Sequence, residues 1–272
     1  MPRAPGDTFD RRYLLRRLVA RSEEARLFEA EHVHLARTVA VRILEPSASA
    51  KEREKLFGEA RLLDRVRHRG VVALIDVGES PEGEPYLATD AMAGRPLDGV
   101  LAVRGALAAD EAVPIALDVA DALGHAHALG VAHLGLAPAS ILLATRPGAA
   151  RASPPAPNEA PGARAKLLDF GLSPSPTGGV SGPLSALGYA SPERLAGGEA
   201  DARNDVHAVG ALLFEMLTGE LPGRGAEAPV PAPPRVVDVI RRALAPRERR
   251  YANASELAAA LRDAIAAEAL PA

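Results

Sequence analysis

From Tyr13 to Leu44 the chain runs in short stretches of alternating apolar and polar residues. The last of them is Thr38-Val39-Ala40-Val41-Arg42-Ile43-Leu44, whose β-branched side chains suit a strand. The segment predicts three antiparallel strands. Between Ser47 and Val66 the period changes: Leu56, Phe57, Ala60, Leu63 and Val66 recur at helical spacing with charges between them, which predicts an amphipathic helix. Two further strands are expected at Val71 to Val77 and Tyr86 to Thr89, around the turn residues Pro81-Glu82-Gly83. Beyond about Ala91 the pattern is helical, most clearly over Glu111 to Leu129, Asp205 to Leu217, and Ser255 to Ala267 with Ser255 as N-cap. A β-rich front therefore precedes a helical back. Residues 146–165, between Ile141-Leu142-Leu143 and Lys166-Leu167-Leu168, are mostly Pro, Ala, Gly and Arg, and are read as a flexible insert between two short strands.

Composition narrows the function classes. With 272 residues, 47% of them hydrophobic, the chain can form two lobes around a sizeable core. Aromatic residues make up only 3% and there is no Trp, so a mainly aliphatic core is expected. A net charge of -3 gives no electrostatic footprint for nucleic acid or an anionic membrane. The basic run Asp10 to Arg17 is read as a solvated strand with Tyr13 and Leu15 turned inward. The absence of cysteine excludes disulfides, thiolate metal ligands and a Cys nucleophile. No stretch approaches the roughly 18 apolar residues of a membrane span, and no hydrophobic signal region opens the sequence, so a cytoplasmic address is expected.

Four motifs then occur in a telling order. Val39-Ala40-Val41-Arg42 is similar to the V-A-I-K strand of protein kinases, Asp169-Phe170-Gly171 to their D-F-G, and Ser191-Pro192-Glu193 to their A-P-E. Gly130 to Leu142 looks like a catalytic loop, aligned by His133, Pro138 and the apolar run after Ser140. From about Tyr13 to Leu261 the chain resembles bacterial eukaryotic-like (Hanks-type) Ser/Thr protein kinases. The resemblance implies an α+β, bilobal protein-kinase-like fold, with a β-rich N-lobe over 13–90 and a mainly helical C-lobe over 91–267. Tails are expected at 1–12 and 268–272.

The resemblance also shows what is missing, because phosphoryl transfer depends on positioned charges. The stretch Val19 to Phe28, where the family has a glycine-rich hairpin, contains no glycine, and Glu23 and Glu24 there repel a polyanion. Arg42 replaces the phosphate-pairing lysine, whose point charge a guanidinium does not reproduce. Glu59 matches that lysine's glutamate partner. The catalytic base position is Gly135, the catalytic-loop lysine position is Ala137, and Ser140 stands for the asparagine that holds a second Mg²⁺. Ala186 replaces a threonine that would touch the missing base.

By the same resemblance, Leu27, Ala40 and Leu142 line an apolar adenine slot, and Asp169 is left as a weak Mg²⁺ ligand. Leu63, Leu74, His133 and Phe170 form an internal stack standing on Asp205, and Glu193 pairs with Arg250. The helix the family carries after Pro222 is expected to be absent or reduced to a turn. Ser173, Ser175, Thr177, Ser181 and Ser185 form a candidate phosphorylated segment, although Leu134 replaces the arginine that usually receives such a phosphate. The reading is a pseudokinase: an inactive regulatory or scaffolding module that binds a protein, such as an active Ser/Thr kinase or its substrate, with no nucleic-acid or membrane partner. No cofactor is expected, ATP with Mg²⁺ being at most a weak ligand. The alternative is a nucleotide-binding sensor or a weak, unorthodox ATP-dependent Ser/Thr phosphotransferase.

Overall fold

The computed structural model describes residues 3–144, 164–168, 184–223 and 229–269. The chain divides into two compact units, one of residues 1–67 and 72–92, the other of residues 68–71 and 93–272.

The first unit contains β1 (Thr8–Phe9), β2 (Tyr13–Arg21), β3 (Ala25–His32), β4 (Arg37–Leu44), α1 (Ala50–Arg65), β5 (Leu74–Glu79) and β6 (Pro85–Asp90). The strands form one antiparallel sheet in the order β1-β2-β3-β4-β6-β5. Alternation sorts its side chains. Phe28, Ala30, Val39, Val41, Ile43 and Ala88 point to one face and meet Phe9, Tyr13, Leu15 and Tyr86 in a buried cluster. The aromatic rings meet edge to face, Phe9 and Tyr86 with centroids 5.2 Å apart. The Tyr13 and Tyr86 hydroxyls both donate to Asp76 Oδ2, at 2.8 and 2.9 Å. Phe9, Tyr13, Phe28 and Tyr86 thus share one sheet face, while Tyr189, Phe214 and Tyr251 are buried in the second unit and the rest of the buried core is mainly aliphatic, as the composition suggests.

Ser49 and Glu52 start α1 as a reciprocal capping box, each side chain bonded to the other's backbone N–H. The expected tail over residues 1–12 is not a tail throughout. Thr8 and Phe9 pair with Leu14 and Tyr13, and Phe9 is fully buried. Two paired residues are too few to show alternation in a sequence. Asp10 and Arg11 make the following turn with φ of 47° and 57°, without the glycine that would have announced it.

The second unit contains β7 (Gly94–Pro96), α2 (Leu97–Arg104), α3 (Ala109–Ala128), β8 (Ile141–Ala144), β9 (Arg164–Leu167), α4 (Pro192–Leu195), α5 (Ala202–Thr218), α6 (Pro234–Leu244) and α7 (Ala254–Ala269). Strands β7, β8 and β9 form a small antiparallel sheet. Arg164 and Ala165 are strand residues, so the expected insert over 146–165 stops short of its predicted end. The Ala165 amide is held by Asp118 at 3.1 Å and the residue pairs with Leu143.

Helix α5 is buried along almost its whole length, because α3, α6 and α7 pack around it. Asp201 caps its start, and Gly219, at φ 78°, ends it. Two glycines allow close helix crossings. A Cβ on Gly124 of α3 would lie 2.4 Å from Ser255 Oγ of α7, and one on Gly210 of α5 would lie 2.7 Å from Ala243 Cβ of α6. Ser255 lies inside α7, whose first residue is Ala254, and so is not the N-cap expected from the sequence. Asn253 takes that role, its Oδ1 accepting the Glu256 amide at 3.1 Å. Helix α7 also runs on to Ala269, past the predicted end at 267. Among the described residues of 219–233 there is no helix, and no described helix is long and apolar enough to cross a membrane.

Candidate functional site

In the first unit, the hairpin between β2 and β3 is where the resemblance would set a glycine-rich loop. Pairing continues to Arg21 opposite Arg26, and with β3 beginning at Ala25 only Ser22, Glu23 and Glu24 lie outside the strands. Ser22 closes this turn. The Ser22 N–H donates to Ala25 O at 2.9 Å. Its Oγ accepts the backbone N–H groups of Glu24 at 3.3 Å and Ala25 at 3.0 Å. These amides are directed at a side chain of their own turn.

Arg42 on β4 pairs with Glu59, a buried residue of α1. Leu27 lies opposite Arg42, and Ala40 is two residues before it, so these three share the sheet face away from the aromatic cluster. Leu27 and Ala40 are half-buried. Leu63 is buried on α1 and Leu74 half-buried on β5.

In the second unit the loop from Val131 to Ser140 is organised by Asp205, at the start of α5 and 1% exposed. One carboxylate oxygen accepts the His133 N–H at 2.7 Å, and the other accepts that of Leu134 at 2.7 Å. His127 Nε2 lies 2.9 Å from the first of these oxygens. Between these bonds Leu134 is held at φ 61°, a left-handed conformation that leucine adopts at a cost of about 1–2 kcal/mol. The His133 ring is fully buried. Its Nδ1 accepts the Gly135 N–H at 3.3 Å, so its proton sits on Nε2, which donates to Leu168 O at 3.2 Å.

Further along the loop, Gly135 offers no side chain and Ala137 no polar one. The Ser140 hydroxyl turns back on its own loop, accepting the Ala137 N–H at 3.1 Å and donating to Ala137 O at 2.7 Å. Leu142 follows on β8, half-buried. Asp169 and Phe170 lie outside the described residues, as do Ser173, Ser175, Thr177 and Ser181. Of the expected stack, Leu63 and Leu74 belong to the first unit, and His133 with Asp205 to the second.

Glu193 of α4 and Arg250 form a two-pronged ion pair, Nη1 to Oε1 and Nη2 to Oε2, and Arg250 Nε donates to Ala245 O. Asn204 Nδ2 donates to both Glu193 Oε1 and Ser191 Oγ. Burial pushes the Glu193 carboxyl up, but hydrogen bonds from Arg250, its own amide and Ser191, with the Arg250 charge, outweigh that and hold it at about 2.

Residues 17–263 match the family model described as protein kinase domain. The chain belongs to the protein kinase family. Serine/threonine-protein kinase PknH of Mycobacterium tuberculosis is 34% identical over 278 residues, covering 93% of this chain and 42% of PknH. PknA of the same species is 30% identical over 260 residues, 87% of this chain and 56% of PknA. The DNA damage-responsive serine/threonine-protein kinase RqkA of Deinococcus radiodurans is 29% identical over 269 residues, 90% of this chain and 37% of RqkA. The chain thus spans less than half the length of PknH and RqkA.

Within this kinase domain three participants went unread in the sequence. Ser22 was legible in principle, since serine at a turn commonly accepts amides two and three residues on. His127 and Asn204 were not, because each acts on a residue distant in the chain, Asp205 and Glu193 respectively, and no local pattern marks either. Among the described residues no three His, Asp or Glu side chains gather as a metal cluster.

Proposed function

We propose that this kinase domain does not transfer phosphate and acts as a regulatory or scaffolding module in signalling. Its partner is another protein, of the class of an active Ser/Thr kinase or its substrate, and its setting is cytoplasmic. The observation that carries the reading is the Ser22 turn. Backbone amides that must face a phosphate chain in an ATP-binding hairpin are here taken by a serine hydroxyl, with Glu23 and Glu24 alongside.

The catalytic loop adds to it. Phosphoryl transfer uses a carboxylate base, a lysine and a metal-holding amide at the positions of Gly135, Ala137 and Ser140. None of the three offers that group, and the Ser140 hydroxyl is engaged within the loop. These residues do not fit ATP with Mg²⁺. A nucleotide-binding sensor, or a weak and unorthodox phosphotransferase, is the second reading; the Arg42–Glu59 pair favours it, since it keeps a cation where the family holds its phosphate-pairing lysine.

Thermal-shift titration of the purified chain with ATP and ADP, with and without Mg²⁺ or Mn²⁺, separates the two. A nucleotide at about 100 times its dissociation constant stabilises a protein by about 2.7 kcal/mol, a readable rise in melting temperature. We expect no shift with any nucleotide, and no labelled phosphate on the chain or on added protein after incubation with γ-labelled ATP. A metal-dependent shift that disappears in Asp169→Asn overturns the reading in favour of the second.

A further inference from the structure

Residues His68 to Val71 group with the second unit, although the chain up to Arg67 and from Val72 belongs to the first. The Leu167 amide of β9 donates to Gly70 O at 2.8 Å, and Val71 forms a parallel bridge with Leu167. Gly70 lies so close to α3 that a Cβ on it would meet Ala122 Cβ at 3.0 Å. His68 closes the turn in two ways. Its Nδ1 accepts the Gly70 N–H at 3.0 Å, and its ring stacks on His125 of α3, with centroids 5.2 Å apart and planes inclined by 24°.

We propose that His68 is a proton-operated clasp, closed when the imidazole is neutral and opened by mild acid, which frees His68–Val71 from α3 and β9. The chemistry follows from Nδ1. As an acceptor of the Gly70 N–H it carries no proton, so the neutral ring is protonated at Nε2. The second proton has only Nδ1 to bind. There it turns the acceptor into a donor aimed at another donor, and the turn loses that bond, keeping only the backbone bond from the Val71 N–H to His68 O at 3.0 Å.

The surroundings add to this. The charged and titratable groups facing His68 are His125 and Asp121 from α3, Lys166 from β9, and Arg69 in its own segment. Asp121, the carboxylate among them, is engaged by Arg262 of α7. Burial first, then His125, Arg69 and Lys166, hold the imidazole below its ordinary range, against the opposing pull of Asp121. A base depressed in the closed state contributes stability above its free value of about 6.5 and loses it as pH falls from there.

The test is hydrogen exchange of the Gly70 and Leu167 amides in the full chain at pH 7.5 and 5.5, corrected for intrinsic exchange, in the wild type and two variants. His68→Asn keeps an oxygen able to accept the Gly70 N–H but does not titrate. His125→Phe keeps a stacking ring and removes its charge. Protection in the wild type is expected to fall at the lower pH, by at most about tenfold. It should stay constant in H68N, and in H125F, where the opposition of His125 is gone, it should fall less between the two pH values than in the wild type. Equal losses in the wild type and H68N, no loss in the wild type, or a greater loss in H125F than in the wild type overturns the proposal. Should H68N fail to fold, NMR titration of the wild-type His68 ring decides: Gly70 protection must fall between the free imidazole value of about 6.5 and the ring's own midpoint, and titration that leaves Gly70 protected refutes the clasp.

Discussion

Arg250 has a side chain 1% exposed, two bonds to Glu193 and a third to Ala245 O. Replacing it with methionine keeps much of the volume but leaves the Glu193 carboxylate in its pocket without its cation. We expect Arg250→Met to cost about 3–5 kcal/mol, read as a lowered urea midpoint with an unchanged slope. The two ends of this pair were legible in the sequence because the resemblance pairs Glu193, of Ser191-Pro192-Glu193, with Arg250. The Asn204 amide that joins Glu193 to Ser191 was not, since only the fold brings it there. Asp205 is similar. The sequence marked it as the base of a stack, whereas its observed work is to bind two consecutive backbone amides and hold Leu134 in a left-handed conformation.

Helices and strands were mostly legible as elements, because burial on one side imposes a period of two on a strand and 3.6 on a helix. Their ends were less so. Ser255 and Asn253 are both competent caps, and what separates them is the neighbouring helix, which packs Gly124 against Ser255. That crossing makes its own prediction. In Gly124→Ala the new methyl lies 2.4 Å from Ser255 Oγ and 3.0 Å from the Ser255 backbone nitrogen, so α3 and α7 must separate. Overpacking of this kind costs about 1–3 kcal/mol, measurable by chemical denaturation. Adding Ser255→Ala should recover only part of the loss, because the backbone contact remains.

For the molecule as a whole, His68, His207, Glu111 and Glu193 agree in sign, whereas the Glu215 carboxyl, raised by burial against the hydrogen bond from Tyr189, opposes them. The His207 imidazole, depressed by burial and then by the Arg250 charge, contributes stability that is lost as pH falls below about 6.5, as His68 does. Glu111, held down by its hydrogen bond from Arg104, and Glu193, held at about 2, contribute stability that is lost as pH falls below about 4.5. Calorimetry should therefore show the melting temperature falling from pH 7.5 to 5 and further to 3, and a maximum on the acid side would contradict these assignments. The division into a β-rich front and a helical back was readable from periodicity alone. The opening strand was not, and it carries a practical lesson about where to cut the gene. The match to the kinase family starts at residue 17, yet Phe9, Tyr13 and Leu15 are fully buried in the aromatic cluster upstream of it. An expression fragment trimmed to residues 17–263 would leave Phe28, Tyr86 and their neighbours open to water, and is expected to be recovered in inclusion bodies where the full chain is not.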